Sequence, residues 1–218
     1  MNKQMALLNS FSNQYIECGC DEAGRGCLAG PVFAAAVVFP KDYRNEKLND
    51  SKQLSANQRE ALRREIEDAA LAWAVASISA EEIDKTNILK ASLHAMNLAV
   101  ECVAHGAKNN IESSKGNCQP ELLLIDGNRF YNETEIPYQC IVKGDGKYLA
   151  IAAASILAKT HRDQLMLELD HEYPQYGWKQ NKGYPTKSHY AAISQFGITR
   201  WHRKSYKLTQ TDDNVCDK

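Results

Sequence analysis

The pattern of hydrophobic and polar positions predicts five β-strands. The clearest is the run VFAAAVVF at 32–39, whose small and β-branched residues are typical of a strand buried on both faces. Residues 72–78 alternate in character, as a half-buried strand does. The remaining predicted strands occupy 15–21, 122–125 and 138–142.

Helical patterns lie between and after these strands. Ser55 and Gln58 have the spacing of a capping box and predict that a helix begins there. Apolar residues recur every three or four positions between Leu89 and Val100, which is a helical period. The later helices are expected at 87–104, 148–172 and 186–195, and Gly197 ends the last of them. Residues 105–120 are polar and predict a surface loop. Because strands alternate with helices, we expect a layered α/β domain.

Composition narrows the class of protein. The chain has 218 residues, of which 44% are hydrophobic, so it can bury a substantial core and is not a disordered chain. With 12 Gly, 6 Pro and 7 Cys it is neither collagen-like nor a disulfide scaffold. It contains no run of 18 apolar residues and no signal-peptide pattern at its start, so we expect no membrane span and a cytoplasmic location.

The seven cysteines form no CxxC pair, which is typical of free thiols in a reducing compartment. Cys18, Cys20 and Cys27 are close enough in sequence to raise a zinc hypothesis, but their spacing does not fit the usual structural sites. We therefore expect these side chains to pack in the core.

Acidic residues follow the predicted strands at a shared topological position. Asp21 and Glu22 end one strand, Asp126 ends another, and Asp145 lies in a glycine-flanked turn before the long helix. Ligands of open α/β sheets collect beyond the carboxyl ends of strands, and clustered carboxylates need a cation such as Mg²⁺ or Mn²⁺. A strand-end aspartate can also cap the next helix, so the spacing alone leaves both interpretations open.

Longer motifs resolve this ambiguity. The segment DEAGRGCLAGPV at 21–32 closely resembles the N-terminal signature of the ribonuclease HII family. Further matching blocks appear in family order from about residue 15 to residue 207. They are NDSKQL (49–54), LIDGN (124–128), KGD (143–145), AASILAK (153–159), RD (162–163), PQYG (174–177), KGYPT (182–186) and HRKS (202–205).

The resemblance implies a ribonuclease H-like layered fold with a central mixed sheet flanked by helices, plus a small helical C-terminal portion. It implies that Asp21, Glu22, Asp126 and Asp145 are catalytic and bind two Mg²⁺ or Mn²⁺ ions. The implied enzyme hydrolyses the RNA strand of RNA–DNA hybrids. It also cuts 5′ of single ribonucleotides embedded in duplex DNA, leaving 3′-hydroxyl and 5′-phosphate ends.

Substrate contacts also follow from the resemblance. Gly24-Arg25-Gly26 matches the turn that senses the ribose, where glycine permits close backbone approach to a 2′-hydroxyl. Tyr184 matches the tyrosine that stacks on the sugar 3′ of the ribonucleotide. Ser155 and Ser51 are expected hydrogen-bond donors. The expected phosphate contacts are Lys52, Lys143, Lys159, Lys182 and Arg203. His189, in the first turn of a helix, is expected to be structural.

We expect three regions: a flexible N-terminal extension at 1–14, a catalytic domain at 15–207 whose basic helical part begins near 145, and a polar acidic tail at 208–218. The tail has no sliding-clamp peptide pattern. We expect a monomer that binds RNA–DNA hybrid and ribonucleotide-containing duplex DNA.

Three alternatives remain. Ribonuclease HIII usually has Gly-Lys-Gly where this chain has Gly24-Arg25-Gly26, a glutamate where Asp145 stands, and an extra N-terminal domain. A non-catalytic hybrid-binding module would lack one or more of the acids, and all four are present. A nucleotide-binding protein would need a GxGxxG or P-loop pattern, which the glycine-rich turn does not provide.

The formal net charge of −1 is the sum over segments whose own net charges have opposite signs. Residues 143–207 hold 11 Lys and Arg against 5 Asp and Glu, whereas residues 1–142 hold 14 against 19. Near-neutrality therefore does not exclude a nucleic-acid partner, and a basic face is expected in the C-terminal part.

Overall fold

The structure is a computed structural model that describes residues 6–49, 51–106 and 111–209, apart from the side chains of Lys52 and Ser113. The strands are β1 Glu17–Ala23, β2 Val32–Val38, β3 Ala72–Ile78, β4 Ile111–Lys115, β5 Leu122–Asp126 and β6 Tyr138–Ile141. The helices are α1 Ala56–Ala69, α2 Ala80–Lys85, α3 Ile88–His105, α4 Leu149–Glu172, α5 Trp178–Asn181 and α6 Lys187–Phe196. Short 3₁₀ helices occupy Ser51–Gln53, Gly144–Gly146 and Pro174–Tyr176.

The strands form one mixed sheet in the order β4-β3-β2-β1-β5-β6. The strands from β4 to β1 run antiparallel to their neighbours, while β5 and β6 run parallel to β1. The predicted mixed α/β architecture is therefore confirmed. Because β1 and β5 are parallel neighbours, their carboxyl ends meet at one edge of the sheet.

Helices cover both faces of the sheet. α3 packs on one face against β1, β2 and β3, and α4 packs on the other face with α1 beside it. α4 approaches β1 closely because Gly19 has no side chain: a Cβ there would lie 2.2 Å from the carbonyl carbon of Ala150. This close approach fixes the position of α4 relative to the end of β1.

Most predicted elements agree with the structure to within a few residues, and the capping box of α1 is formed. The Ser55 hydroxyl accepts from the Gln58 amide at 3.3 Å, and the Gln58 side chain accepts from the Ser55 amide at 2.8 Å. The last helix is capped by Thr186 and ends before Gly197, whose φ of 77° suits glycine.

One prediction about a chain segment differs from the structure. The polar stretch 105–120 is not simply a loop, because β4 pairs there with β3. An edge strand is held by its backbone hydrogen bonds and needs no continuous apolar pattern, so its polar sequence concealed it. The flexibility of the 1–14 extension stays a prediction; within it, the Leu8 backbone is hydrogen-bonded to Lys147 and Leu149, and Glu17 accepts from the Ser10 hydroxyl at 2.9 Å.

The C-terminal portion is helical, as expected, and packs around Trp178, Tyr176 and Met166. The boundaries at 15, 145 and 208 stay predictions. The acidic tail from residue 210 onward lies outside the described residues. Within the described part of the chain, no helix is both long enough and apolar enough to cross a membrane.

Candidate active site

Asp21 lies inside β1 and not after it, because pairing with β2 continues to Ala23. It sits opposite Ala35 in the antiparallel register and faces α4, where Ser155 hydrogen-bonds to its carboxylate. The Ser155 hydroxyl lies 2.9 Å from the Ser51 hydroxyl, so both serines expected as donors belong to one buried polar chain. Asp21 is 5% exposed.

Burial raises the pKa of Asp21 well above its usual value, and the negative charges of Glu22 and Asp126 raise it further. The hydrogen bonds from Ser155 and from the Glu22 amide act in the opposite direction and are weaker. The protein therefore holds a carboxylate where its charge is unfavourable, which is typical of functional sites that a cation stabilises.

Glu22 projects from the opposite face of β1, since side chains alternate along a strand. Its carboxylate forms an ion pair with Arg25 at 3.1 Å. Together with Asp126 and Arg129, these residues line an open cavity of about 370 Å³ whose floor includes Met96 of α3. Two of the predicted acids, Glu22 and Asp126, thus share one cavity with Arg25 of the glycine-rich turn.

Asp126 ends β5 and organises the turn that carries Asp145. Its Oδ1 accepts a hydrogen bond from the Gly144 amide at 2.7 Å. Gly144 is packed so closely that a Cβ would lie 2.6 Å from Cδ1 of Ile151, and Lys143 before it has a left-handed φ of 56°. This tight turn leaves Asp145 only 5% exposed at the start of α4.

The structure thus brings Asp21, Glu22 and Asp126 together at one end of the sheet, and Asp145 lies in the turn that Asp126 holds. Asp21, Glu22 and Asp126 interact through their charges. Among the described residues, however, no three His, Cys, Asp or Glu side chains converge closely enough to form a complete metal-binding group. The donor set consists of carboxylate oxygens, which suits hard divalent cations such as Mg²⁺ and Mn²⁺.

The Gly24-Arg25-Gly26 turn follows β1 directly. Gly24 has a φ of 94°, and a Cβ there would lie 2.1 Å from Nε of Arg162, so only glycine fits. Gly26 is exposed, and a Cβ built on it would meet no atom within 4 Å. One glycine serves packing, and the other leaves the backbone accessible.

Arg203 was predicted to contact phosphate, and this prediction is wrong. The residue is 0% exposed, and its guanidinium donates to the carbonyls of Gly30 and Arg25. Arg162 is equally buried and donates to the carbonyls of Ala29, Pro31 and Lys182. Both arginines hold the loop between β1 and β2.

Tyr184 is 38% exposed beside this loop, with the Lys159 ammonium 5.5 Å from its ring centroid. Its hydroxyl interacts with the buried Cys27 thiol. Lys159 is also paired with Asp163 at 2.6 Å. The Tyr184 ring is therefore partly accessible to a ligand and has a cation beside it.

The remaining expected phosphate contacts occupy different environments. Lys143 is exposed beside Asp145, whereas Lys182 is partly buried and its ammonium contacts the Lys179 carbonyl. Burial lowers the pKa of Lys182. Lys52 lies in the 3₁₀ helix Ser51–Gln53, but its side chain is outside the described part of the structure.

His189 has the expected structural environment. It is 0% exposed, its Nε2 accepts from the Trp178 indole at 3.1 Å, and its Nδ1 lies 3.0 Å from the Tyr184 carbonyl oxygen. Nε2 of His202 lies 3.3 Å from Nε2 of His189. No motif predicts this network, because its members lie at irregular separations of 5, 11 and 13 positions from His189.

The cysteines expected to pack do so. Cys18, Cys20 and Cys27 are free and fully buried, and the Cys18 and Cys20 sulfurs lie 4.0 Å apart. Burial raises the pKa of the Cys27 thiol. The hydrogen bond with the Cys18 side chain raises the pKa of the Cys20 thiol. Core packing is consistent with these environments.

Sequence comparison identifies close relatives over nearly the whole chain. A model of the family "Ribonuclease HII" matches residues 18–209. A ribonuclease HII of Bacteroides thetaiotaomicron is 56% identical over 202 residues, which cover 93% of this chain and 94% of that protein. A ribonuclease HII of Parabacteroides distasonis is 60% identical over 93% of this chain and 95% of its own length.

Solved structures agree with the fold. The ribonuclease H2 from Pyrococcus horikoshii matches with a TM-score of 0.68 at 24% identity, covering 88% of this chain and 94% of that chain. The RNase HII in a PCNA complex from Archaeoglobus fulgidus matches with a TM-score of 0.67 at 26% identity, covering 90% and 97%. Bst-RNase HIII in complex with Mn²⁺ matches with a TM-score of 0.66 at 17% identity, covering 88% of this chain and 67% of that chain. The ribonuclease H-like fold is thereby confirmed, and the chain belongs to the ribonuclease HII family.

Proposed function

We propose that this ribonuclease H hydrolyses the RNA strand of RNA–DNA hybrids and incises 5′ of single ribonucleotides in duplex DNA. The products are 3′-hydroxyl and 5′-phosphate ends. The observation that carries the proposal is the juxtaposition of Asp21, Glu22 and Asp126 with the turn Gly24-Arg25-Gly26 at the end of β1. Acids that can hold a cation thus lie beside an exposed backbone that can contact a ribose.

The enzyme depends on divalent metal, and the carboxylates suit this role. Asp21, Glu22, Asp126 and Asp145 are the residues that would hold two Mg²⁺ or Mn²⁺ ions. Bound divalent ions supply an activated water and stabilise charge on the leaving oxygen. The raised pKa of Asp21 supports the assignment, because a cation would relieve the repulsion that raises it. Bst-RNase HIII, which shares the fold, was solved with Mn²⁺.

The other residues orient the substrate. The exposed Gly26 backbone is placed to contact a 2′-hydroxyl, and the partly exposed Tyr184 ring is placed to stack on the next sugar. Lys143, Lys159 and Lys182 supply positive charge around these two groups. This division lets backbone contacts select ribose while lysines attract the phosphates.

The proposed partners are RNA–DNA hybrids and ribonucleotide-containing duplex DNA, with roles in ribonucleotide excision and primer removal in the cytoplasm. The basic segment 143–207 supports this, because it contains Tyr184 and most of the lysines. We propose a monomer, since one chain contains all four acids. The Archaeoglobus protein was solved bound to PCNA, but the tail of this chain has no clamp-peptide pattern, so no clamp interaction is proposed.

An incision assay tests the proposal. Duplexes with one embedded ribonucleotide, and otherwise identical all-DNA duplexes, are incubated with the full chain and Mg²⁺ or Mn²⁺. We expect a single cut on the 5′ side of the ribonucleotide and none in all-DNA. Asp126→Asn should lower the rate by at least about 10³-fold, because it removes a charged ligand.

Asp42→Asn is the matched control, since Asp42 is exposed in the turn after β2, at the end of the sheet opposite the carboxyl end of β1. It should cut at the wild-type rate. Equal cutting of the two duplexes, or unchanged cutting by Asp126→Asn, would contradict the proposal.

A further inference from the structure

The carbonyl oxygen of Arg25, in the middle of the glycine-rich turn, is held by two donors from the C-terminal segment. Nη1 of Arg203 donates to it at 2.9 Å, and the hydroxyl of Tyr206 donates to it at 2.7 Å. The same Nη1 also donates to the Tyr206 oxygen at 3.2 Å. The three groups form a closed triangle around one peptide oxygen.

The triangle is itself anchored. Nε and Nη2 of Arg203 both donate to the Gly30 carbonyl, at 3.0 and 2.8 Å, and the Arg203 amide donates to the Leu28 carbonyl at 2.8 Å. The guanidinium therefore spans the loop from Gly30 back to Arg25. Its Cζ lies 5.2 Å from the centroid of the Tyr206 ring, which keeps the two side chains stacked.

This arrangement fixes the direction of one peptide group. In a trans peptide the C=O and N–H point in opposite directions. When the Arg25 carbonyl is turned inward toward Arg203 and Tyr206, the Gly26 N–H of the same peptide is turned outward. Gly26 is exposed, and a Cβ built on it would meet no atom within 4 Å, so the outward-turned N–H lies on the open side of the turn.

We infer that Arg203 and Tyr206 are positioning residues that set the ribose selectivity of the enzyme by locking the Arg25–Gly26 peptide. This inference rests on the proposed function, in which that turn contacts the 2′-hydroxyl. Arg203 is fully buried, and both side chains act on the turn through the Arg25 carbonyl. If the peptide could rotate, the outward N–H would be lost and ribose would be distinguished less well from deoxyribose.

The test compares binding by the full chain in an Asp126→Asn background, which prevents cleavage. Fluorescence anisotropy gives the Kd for a duplex with one ribonucleotide and for the same duplex with deoxyribose at that position. Tyr206→Phe removes only the hydroxyl. We expect it to weaken binding of the ribonucleotide duplex by about 3- to 10-fold, the effect of one hydrogen bond, and to leave binding of the all-DNA duplex unchanged.

Tyr176→Phe is the matched control. It also removes a hydroxyl that donates to a backbone carbonyl in the C-terminal portion, that of Gly197 at 2.9 Å, but one that is not in the turn. Its ribose-to-deoxyribose Kd ratio should match that of the background protein. Arg203→Lys should narrow the ratio as Tyr206→Phe does, provided that circular dichroism shows it folded.

The outcomes separate this inference from the proposed function. If the background protein binds both duplexes equally and the wild type cuts neither selectively, the proposed function fails. If the background protein discriminates and Tyr206→Phe discriminates as well as it does, the positioning inference is overturned. Equal weakening of both duplexes by Tyr206→Phe also overturns it, because a purely structural role would act on both.

Discussion

Asp21→Asn should make the metal-free protein more stable while abolishing its activity. Asp21 is 5% exposed, and its charge is disfavoured by burial and by the nearby charges of Glu22 and Asp126. Asparagine keeps the shape of the side chain and an accepting oxygen but removes the charge. The structure therefore predicts opposite effects of one substitution on stability and on catalysis, as is common at functional sites.

The magnitude follows from the type of group removed. An unfavourably buried polar or charged group costs about 1–3 kcal/mol, and the Ser155 and Glu22 hydrogen bonds offset only part of that cost. For a chain of this length, each kcal/mol shifts Tm by about 2–4 °C. We expect Asp21→Asn to raise Tm by at least a few degrees at pH 8.

The increase in Tm that Asp21→Asn causes should depend on pH in a defined direction. The pKa of Asp21 is raised in the folded state above its reference value of 3.8, so the native protein binds this proton more readily than the unfolded chain. Wild-type stability should therefore fall as the pH rises from 3.8 through the raised pKa. The advantage of Asp21→Asn should be largest above that pKa and vanish as the pH approaches 3.8.

Thermal unfolding followed by circular dichroism in EDTA, at several pH values from 4.5 to 8.5, measures the effect on the apoprotein. Asp42→Asn serves as the control, because it removes an exposed carboxylate and should leave Tm unchanged. A Tm of Asp21→Asn equal to or below that of wild type at pH 8, or a gain that grows as the pH falls, would refute the reasoning.

Three further predictions concern packing, substrate contact and acid stability. Gly19→Ala should lower the free energy of unfolding by about 1–3 kcal/mol in urea titrations, because its Cβ would lie 2.2 Å from the α4 backbone; Gly146→Ala, with open space at its Cβ, should not. Tyr184→Ala should lose the preference for an RNA–DNA junction in incision assays without a matching loss of Tm, and the exposed Tyr131→Ala should retain it. Burial and His189 lower the pKa of His202 from 6.5 to about 4. The free energy of unfolding measured in urea should therefore fall as the pH is lowered from 6.5 toward 4, because the unfolded chain takes up the proton first. His202→Gln should flatten that dependence, and an unchanged slope would contradict the assignment.

Local sequence was sufficient where the determining interactions are local. The apolar run of β2 predicts a strand buried on both faces, and every residue of that strand is buried in the structure. The capping box at Ser55 predicts the start of α1, since both of its hydrogen bonds lie within four residues. The four acids were identified from motifs whose residues are consecutive. The charge interactions among Asp21, Glu22 and Asp126 arise because β1 and β5 are parallel neighbours.

The tertiary structure decided what depends on contacts between distant parts of the chain. β4 has a polar sequence and exists because β3 offers it backbone partners. Arg203 appears from its sequence to be an ordinary phosphate-binding cation. It is instead buried and donates to carbonyls more than 170 residues away in the chain. Whether an arginine faces solvent or holds a loop depends on which backbone carbonyls surround it, and folding alone brings those carbonyls together. The sequence by itself thus determined the family, the acids and most of the elements, whereas only folding determined which residues support the turn that is proposed to contact ribose.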